Sequence, residues 1–346
     1  MSIRLLNKED IQAVGLSLND VLQLTHETYL RDAQGIVDVP TKIGVHPSSP
    51  RSFLDAMPAW VGGDDAALGM KWVSYFPGNS ALGIEDSSGV IILNHPDNGH
   101  PVCIMEGMHL TFLRTAACAA IMAKQVIKAP PSSIGLVGCG NLGRWSLRVM
   151  AQAFPSIKTV FVASNTAQSR ERFCEEMREE GPWELLPVDQ VRDAVCHSDI
   201  VISSVPPTSR PPIEAQWMRP DSVFIPLDLT NSWHADILPH AARVVADNPE
   251  FLHKLLRAHR PELADVRAQT VAFQGLVLNG IEAEQRTGMT FVAVCGIAST
   301  DVMLGWEVYR RACKANLGVM FDMSPGNKHA MRIPKENGRL AYQSGI

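Results

Sequence analysis

The chain is 346 residues long, 46% hydrophobic and 19% charged, with a formal net charge of -5. That length favours two domains and the composition is that of a soluble globular protein, with no electrostatic reason to expect nucleic acid or an anionic membrane as partner. No apolar run is long enough to span a bilayer, Met1–Asp10 lacks the apolar stretch of a signal peptide, and the 7 cysteines show no C-x-x-C spacing, so a cytoplasmic protein with reduced thiols is expected.

Asn7, with Asp10 shortly after it, reads as a helix start, and Ser17 as the cap of a helix over Leu18–Ala33. From Val37 to Met105 short apolar runs (Ser52–Met57, Ala67–Tyr75, Gly89–Leu93, Val102–Met105) alternate with Pro, Gly, Asn and Asp clusters, the texture of one sheet with its turns. His109–Lys128, rich in Ala, Leu and Met, reads as a buried helix, and Ala129–Ser133 as a linker. Strands over Ser133–Val137, Thr159–Ala163, Ile200–Val205, Ser222–Leu227 and Arg243–Ala246 then alternate with helices over Leu142–Ala153, Ser169–Glu179 and Val188–Cys196. That rhythm predicts an α/β fold with a doubly wound parallel sheet. The tail from Ser324, poor in apolar residues and carrying Lys328, His329, Arg332, Lys335 and Arg339, is expected to be either disordered or laid over another surface.

Between the linker and the first of these helices stands Gly138-Cys139-Gly140-Asn141-Leu142-Gly143. A strand passing through G-x-G-x-x-G into a helix makes a phosphate site. The first glycine allows the turn, the second lets backbone approach a pyrophosphate, and the third lets helix and strand pack closely. The expected cofactor is therefore a dinucleotide, NAD or NADP. Cys139 reads as a small residue tolerated by the turn. At the end of the second strand an NAD enzyme usually carries Asp or Glu for the ribose. Here Val160–Thr166 contains no carboxylate. Ser164, Asn165 and Thr166 could instead hold a 2′-phosphate, with Arg170 or Arg172 as the cation, which tilts the expectation towards NADP. The plain alternative leaves both arginines solvated on a helix face.

Two cations stand in apolar surroundings. Lys71 lies in Leu68-Gly69-Met70-Lys71-Trp72-Val73, and Arg114 in Leu113-Arg114-Thr115-Ala116-Ala117. A buried cation is costly unless it meets an anion, and a guanidinium suits a carboxylate in bidentate fashion. Either residue could equally pair with an internal Asp or Glu. The 11 histidines form no H-E-x-x-H, so no metal is expected. His109 reads as a core histidine, with Glu106 as partner to it or to Arg114.

The chain resembles the ornithine cyclodeaminase/mu-crystallin family. The resemblance rests on Asp55-Ala56-Met57-Pro58; Gly69–Val73 with Pro77-Gly78-Asn79; Gly89–Leu93; Leu113–Ala117; Gly138–Gly143; and Gly296-Ile297-Ala298-Ser299-Thr300-Asp301, in the family's order. It implies a Rossmann domain over 129–300 and a mixed α+β domain over 1–128 with 301–323. The second of these binds substrate and forms a homodimer; 324–346 remains a tail. By analogy Arg114, Lys71 and Lys42 hold a substrate carboxylate, and Asp55 matches a glutamate that contacts substrate. Thr115 and Val205 join the expected cofactor contacts.

Asp228 can be matched to the catalytic aspartate of the cyclodeaminases only by shortening a loop. The Pro-Gly-Lys that follows it there is absent, and Trp233 adds bulk nearby. Asp228 reads either as catalytic or as the cap of the following turn. Gly138–Gly143, Gly62-Gly63 and Ser88–Leu93 look more like the amino-dicarboxylate (opine-like) dehydrogenases of siderophore pathways. The expected activity is NAD(P)-dependent oxidoreduction at a C–N bond of an amino acid or imine. A cyclodeaminase without net redox change and a non-catalytic cofactor-binding protein are the alternatives.

Overall fold

β1 (Ser2–Leu6) leads into α1 (Lys8–Ala13) and α2 (Leu18–Ala33), and both helices begin in reciprocal capping boxes, Asn7 with Asp10 and Ser17 with Asp20. The structure, a computed structural model, describes residues 2–47, 52–206, 212–263, 270–279 and 288–323, with the backbone of 335–336 and 339–340. β2 (Val37–Asp38), β3 (Ile43–Val45), β4 (Phe53–Val61), β5 (Ala67–Tyr75), β6 (Ser87–Asn94) and β7 (Pro101–Glu106) follow, then α3 (Met108–Val126). β4 continues past the expected end at Met57, through Pro58. Its outer neighbours are short: β3 pairs with Leu54–Ala56 and β2 with Trp60–Val61, so the missing N–H of Pro58 falls in the gap between them. Glu106 accepts from the backbone N–H of Met108 (2.6 Å) and His109 (3.0 Å), starting α3; it partners the backbone rather than the Arg114 side chain.

The second half alternates as expected. It runs β8 (Ser133–Val137), α4 (Asn141–Ala153), β9 (Thr159–Ala163), α5 (Ala167–Met177), β10 (Glu184–Pro187), α6 (Val191–Cys196), β11 (Ile200–Ser203) and β12 (Val223–Pro226). After these come α7 (Ile237–His240), β13 (Arg243–Ala246), α8 (Pro249–His259), β14 (Thr270–Ala272), α9 (Phe273–Asn279), β15 (Thr290–Ala293), α10 (Ala298–Ala315) and β16 (Val319–Asp322). β10, β14, β15 and β16 go beyond the strands expected from the sequence; each is too short to display a period of its own. The tail beyond 323 lies outside the described residues, apart from the paired strands Lys335–Glu336 and Arg339–Leu340.

Two sheets result. The first has the order β16-β1-β7-β6-β5-β4-β2, with β3 also on β4, and is antiparallel except for β1 beside β7. The second is parallel throughout, in the order β10-β9-β8-β11-β12-β15-β13-β14. Its direction of winding reverses between β8 and β11, which places a crevice at the carboxyl ends of those strands. α10 leaves β15 and packs across β4, β5 and β6, and β16 then pairs with β1, which returns the chain to the first sheet. One core runs from the inner face of the first sheet through α3, α10 and α4 to one face of the parallel sheet, and a second fills the other face. Among the described residues no helix is long and apolar enough to cross a membrane.

Candidate active site

The glycine turn sits at the reversal of the parallel sheet. Gly138 has φ +117° and donates to Ala163 O at 2.9 Å; an added Cβ would lie 2.5 Å from Ser204 O. At Gly143 it would lie 2.4 Å from Gly138 O, so this glycine lets α4 sit on the turn. Around Gly140 nothing stands within 4 Å of such a Cβ, and no side chain caps α4. The first N–H groups of the helix, at Asn141, Leu142 and Gly143, are thus offered to an anion approaching over Gly140. These residues fit a pyrophosphate.

At the end of β9, Thr166 accepts from Ser169 N (3.2 Å) and caps α5, beside the exposed Asn165. Arg170 is buried. Its Nη1 donates to Ser164 O at 3.0 Å, and its other nitrogen pairs with Asp189, just past β10. Arg172 is exposed and paired to Glu176. Of the two arginines, only Arg170 stands at this strand end, and a neighbouring carboxylate already engages it. Thr115 donates within α3, to Thr111 O at 2.7 Å. Val205 N donates to Asp228 Oδ2 (3.1 Å) and Ser232 Oγ to Asp228 Oδ1 (2.8 Å), so both oxygens of Asp228 are engaged. Burial pushes the Asp228 carboxyl up, against the pull of these hydrogen bonds. Trp233 is fully buried and donates to Leu229 O.

Lys71 and Arg114 meet the same carboxylate. Arg114 Nε donates to Asp301 Oδ1 at 3.0 Å, and Lys71 Nζ stands 2.8 Å from Asp301 Oδ2 in an ion pair off the angle of a hydrogen bond. All three are buried, with side-chain exposures of 7%, 1% and 0% for Arg114, Lys71 and Asp301. One carboxylate therefore faces two cations. Burial and the repulsion of Arg114, resisted by Asp301, bring Lys71 down to about 7. Burial pushes Asp301 up, but Arg114 and Lys71 outweigh it and hold the carboxyl low. Lys71 comes from the inner face of β5, in the register row Met57, Lys71, Ile91, Met105, all of them buried. Asp55 shares that face on β4. Burial raises its carboxyl against the attraction of Lys42, His46, Lys71 and Lys254.

The connection from β15 to α10 gathers this cluster. Lys42 Nζ donates to Cys295 O at 2.7 Å and lies 4.5 Å from the centre of the Phe251 ring. Gly296, with φ +77°, brings backbone against Arg114, whose Nη1 would lie 2.7 Å from a Cβ there. Asp301 is one turn into the helix that follows. Asp247, at the carboxyl end of β13, accepts from Cys295 N (2.7 Å), Gly296 N (3.2 Å) and Tyr29 Oη (3.2 Å). Asp301, Gly296 and Asp247 are absent from the expected site residues. A cavity of about 450 Å³ opens beside this turn, lined by Asp32, Val39, Asp247, His253, Gln274 and Ile297 among others; Lys71 and Arg114 do not line it. The cation cluster, Asp228, Val205 and the glycine turn all lie at the carboxyl edge of the parallel sheet, where open α/β folds bind ligands.

Residues 4–316 match the sequence profile of the ornithine cyclodeaminase/mu-crystallin family. The nodulation efficiency protein NfeD of Rhizobium meliloti is 24% identical over 320 residues, 92% of this chain and 98% of that protein. The N-((2S)-2-amino-2-carboxyethyl)-L-glutamate dehydrogenase of Staphylococcus aureus is 26% identical over 275 residues, 78% of this chain and 81% of that protein. The Δ1-pyrroline-2-carboxylate reductase of Thermococcus litoralis, solved with NADH and L-proline, has the same fold: TM-score 0.84 at 22% identity, over 92% of this chain and 99% of that one.

Proposed function

The chain belongs to the ornithine cyclodeaminase/mu-crystallin family, and we propose that it works there as an NAD(P)-dependent oxidoreductase at the C–N bond of a carboxylate-bearing amino acid or imine. The observation that carries this reading is the pairing of two buried cations, Lys71 and Arg114, with the single carboxylate of Asp301. A buried positive surplus is costly, and an incoming anion relieves it. Lys42 stands beside Arg114, with Asp247 and Asp55 as its own nearby anions. The relatives, an N-((2S)-2-amino-2-carboxyethyl)-L-glutamate dehydrogenase and a Δ1-pyrroline-2-carboxylate reductase, favour the same substrate class.

In this reading residues 129–300 form the cofactor unit, and 1–128 with 301–323 the substrate unit. Gly138, Gly140 and Gly143, with the N–H groups of Asn141 and Leu142, hold the pyrophosphate. Ser164, Asn165, Thr166 and Arg170 face the adenosine ribose, with NADP slightly favoured over NAD, and Thr115 and Val205 complete the cofactor contacts. The nicotinamide, when bound, supplies the hydride. Arg114, Lys71 and Lys42 orient the substrate carboxylate, and that fixed orientation lowers the barrier. Asp55, with a carboxyl raised by burial, gives the proton that the imine nitrogen needs when carbon receives hydride. Asp228, held by Val205 N and Ser232 Oγ, stabilises a positive substrate nitrogen.

A homodimer is part of the proposal. The outer face of the first sheet carries the rows Ala56, Trp72, Val90 and Pro58, Met70, Ile92, Ile104, and both Trp60 and Trp72 are 41% exposed. An apolar sheet face of that kind marks an association surface.

The test is a panel followed at the nicotinamide absorbance with NADH and with NADPH: Δ1-pyrroline-2-carboxylate, pyruvate with ammonium, and 2-oxoglutarate with 2,3-diaminopropionate. Cofactor oxidation with at least one is expected. Ammonia release from ornithine without net absorbance change would select the cyclodeaminase instead, and tight NADPH binding without any turnover would select a binding protein.

A further inference from the structure

Asp247 is a fully buried carboxylate that no motif marks. Its oxygens take the N–H groups of Cys295 and Gly296 and the hydroxyl of Tyr29. The peptide between Cys295 and Gly296 is thereby held at both ends: its N–H donates to Asp247, and its carbonyl accepts from the Lys42 ammonium. The same glycine, at φ +77°, is what Arg114 packs against. We propose that Asp247 is a positioning residue for the substrate carboxylate, holding the Cys295–Gly296 turn on which Lys42 and Arg114 are set.

Only a carboxylate offers an acceptor to both backbone N–H groups; an asparagine turns an NH2 towards one of them. A buried anion is costly where a loop merely needs closing, and here its charge reaches Lys42 through one polarised peptide. The proposal rests on the carboxylate-binding reading above.

The test uses the full-length protein with saturating cofactor and the best substrate of the panel. Asp247→Asn is expected to raise KM about tenfold or more, the effect of losing a hydrogen bond to a charged group. The dissociation constant for NADH or NADPH is expected to stay within about twofold. Tyr29→Phe, which removes one of the bonds to Asp247, shifts KM the same way by less. If Asp247→Asn does not fold, Tyr29→Phe decides by the same split. An unchanged KM, or KM and cofactor affinity weakening in step, overturns the proposal. If Lys71→Ala and Arg114→Ala raise KM while Asp247→Asn does not, the positioning role alone falls. If those two variants also leave KM unchanged, the functional reading falls and takes this inference with it.

Discussion

Asp301 faces two cations, and that imbalance has consequences for pH and for stability. Lys71, at about 7 in the free protein, loses its ammonium proton as pH rises through neutrality. A substrate carboxylate beside it favours the charged form and raises that value. Binding therefore takes up a proton, and affinity falls as pH climbs from about 7 to 9. Calorimetric titration in buffers of different ionisation enthalpy reads this directly; proton release, or affinity flat over that range, contradicts it. Asp301→Asn leaves the buried Arg114 guanidinium without its counter-ion, while Lys71, already at about 7, sheds its proton, and it is expected to destabilise the fold by on the order of 3–5 kcal/mol, read by denaturant unfolding. A loss under about 1 kcal/mol would show that the pair does not need its anion. Lys71 and Arg114 were legible because each is a cation in an apolar run. The internal pairing is what the structure shows, each cation meeting Asp301, and the clamp on a substrate carboxylate is the proposal built on it. Asp301 stands in a helix start of small residues and the same rule could have found it. Asp247 could not be found that way, because its partners Cys295 and Tyr29 are 48 and 218 residues away.

The turn between β8 and α4 separates folding from binding. At Gly140 a methyl group meets open space, so Gly140→Ala is expected to keep the melting temperature and weaken NADH or NADPH binding about tenfold or more, because the methyl stands where the pyrophosphate approaches. At Gly143 a methyl group meets the Gly138 carbonyl at 2.4 Å, so Gly143→Ala is expected to lower the melting temperature as well. Thermal melts with cofactor fluorescence titrations check both; equal effects in the two variants contradict the assignment of roles. This element was readable because strand, turn and helix are contiguous in the chain. β4 was read short because Pro58 signals a strand end, and its tolerance depends on a gap between β2 and β3 that only the paired sheet reveals. The placing of β15 between β12 and β13 is likewise a property of the assembled sheet.

The two sheets share one core through α3 and α10, and the connection ahead of α10 carries the residues that set the cations. In the proposed function substrate and cofactor would therefore meet on one frame. Trp72→Glu, on the outer face of the first sheet, is expected to convert a dimer to a monomer in light scattering behind size exclusion; a wild-type monomer, or an unaffected dimer, contradicts the assigned surface. The most direct test of the whole account compares wild type with Lys71→Ala and Arg114→Ala, measuring kcat/KM on the best imine or amino acid together with cofactor affinity. kcat/KM is expected to fall about a hundredfold or more in each, as for a lost charge-assisted clamp, with cofactor affinity within about twofold of wild type. Wild-type kcat/KM in both variants would contradict it.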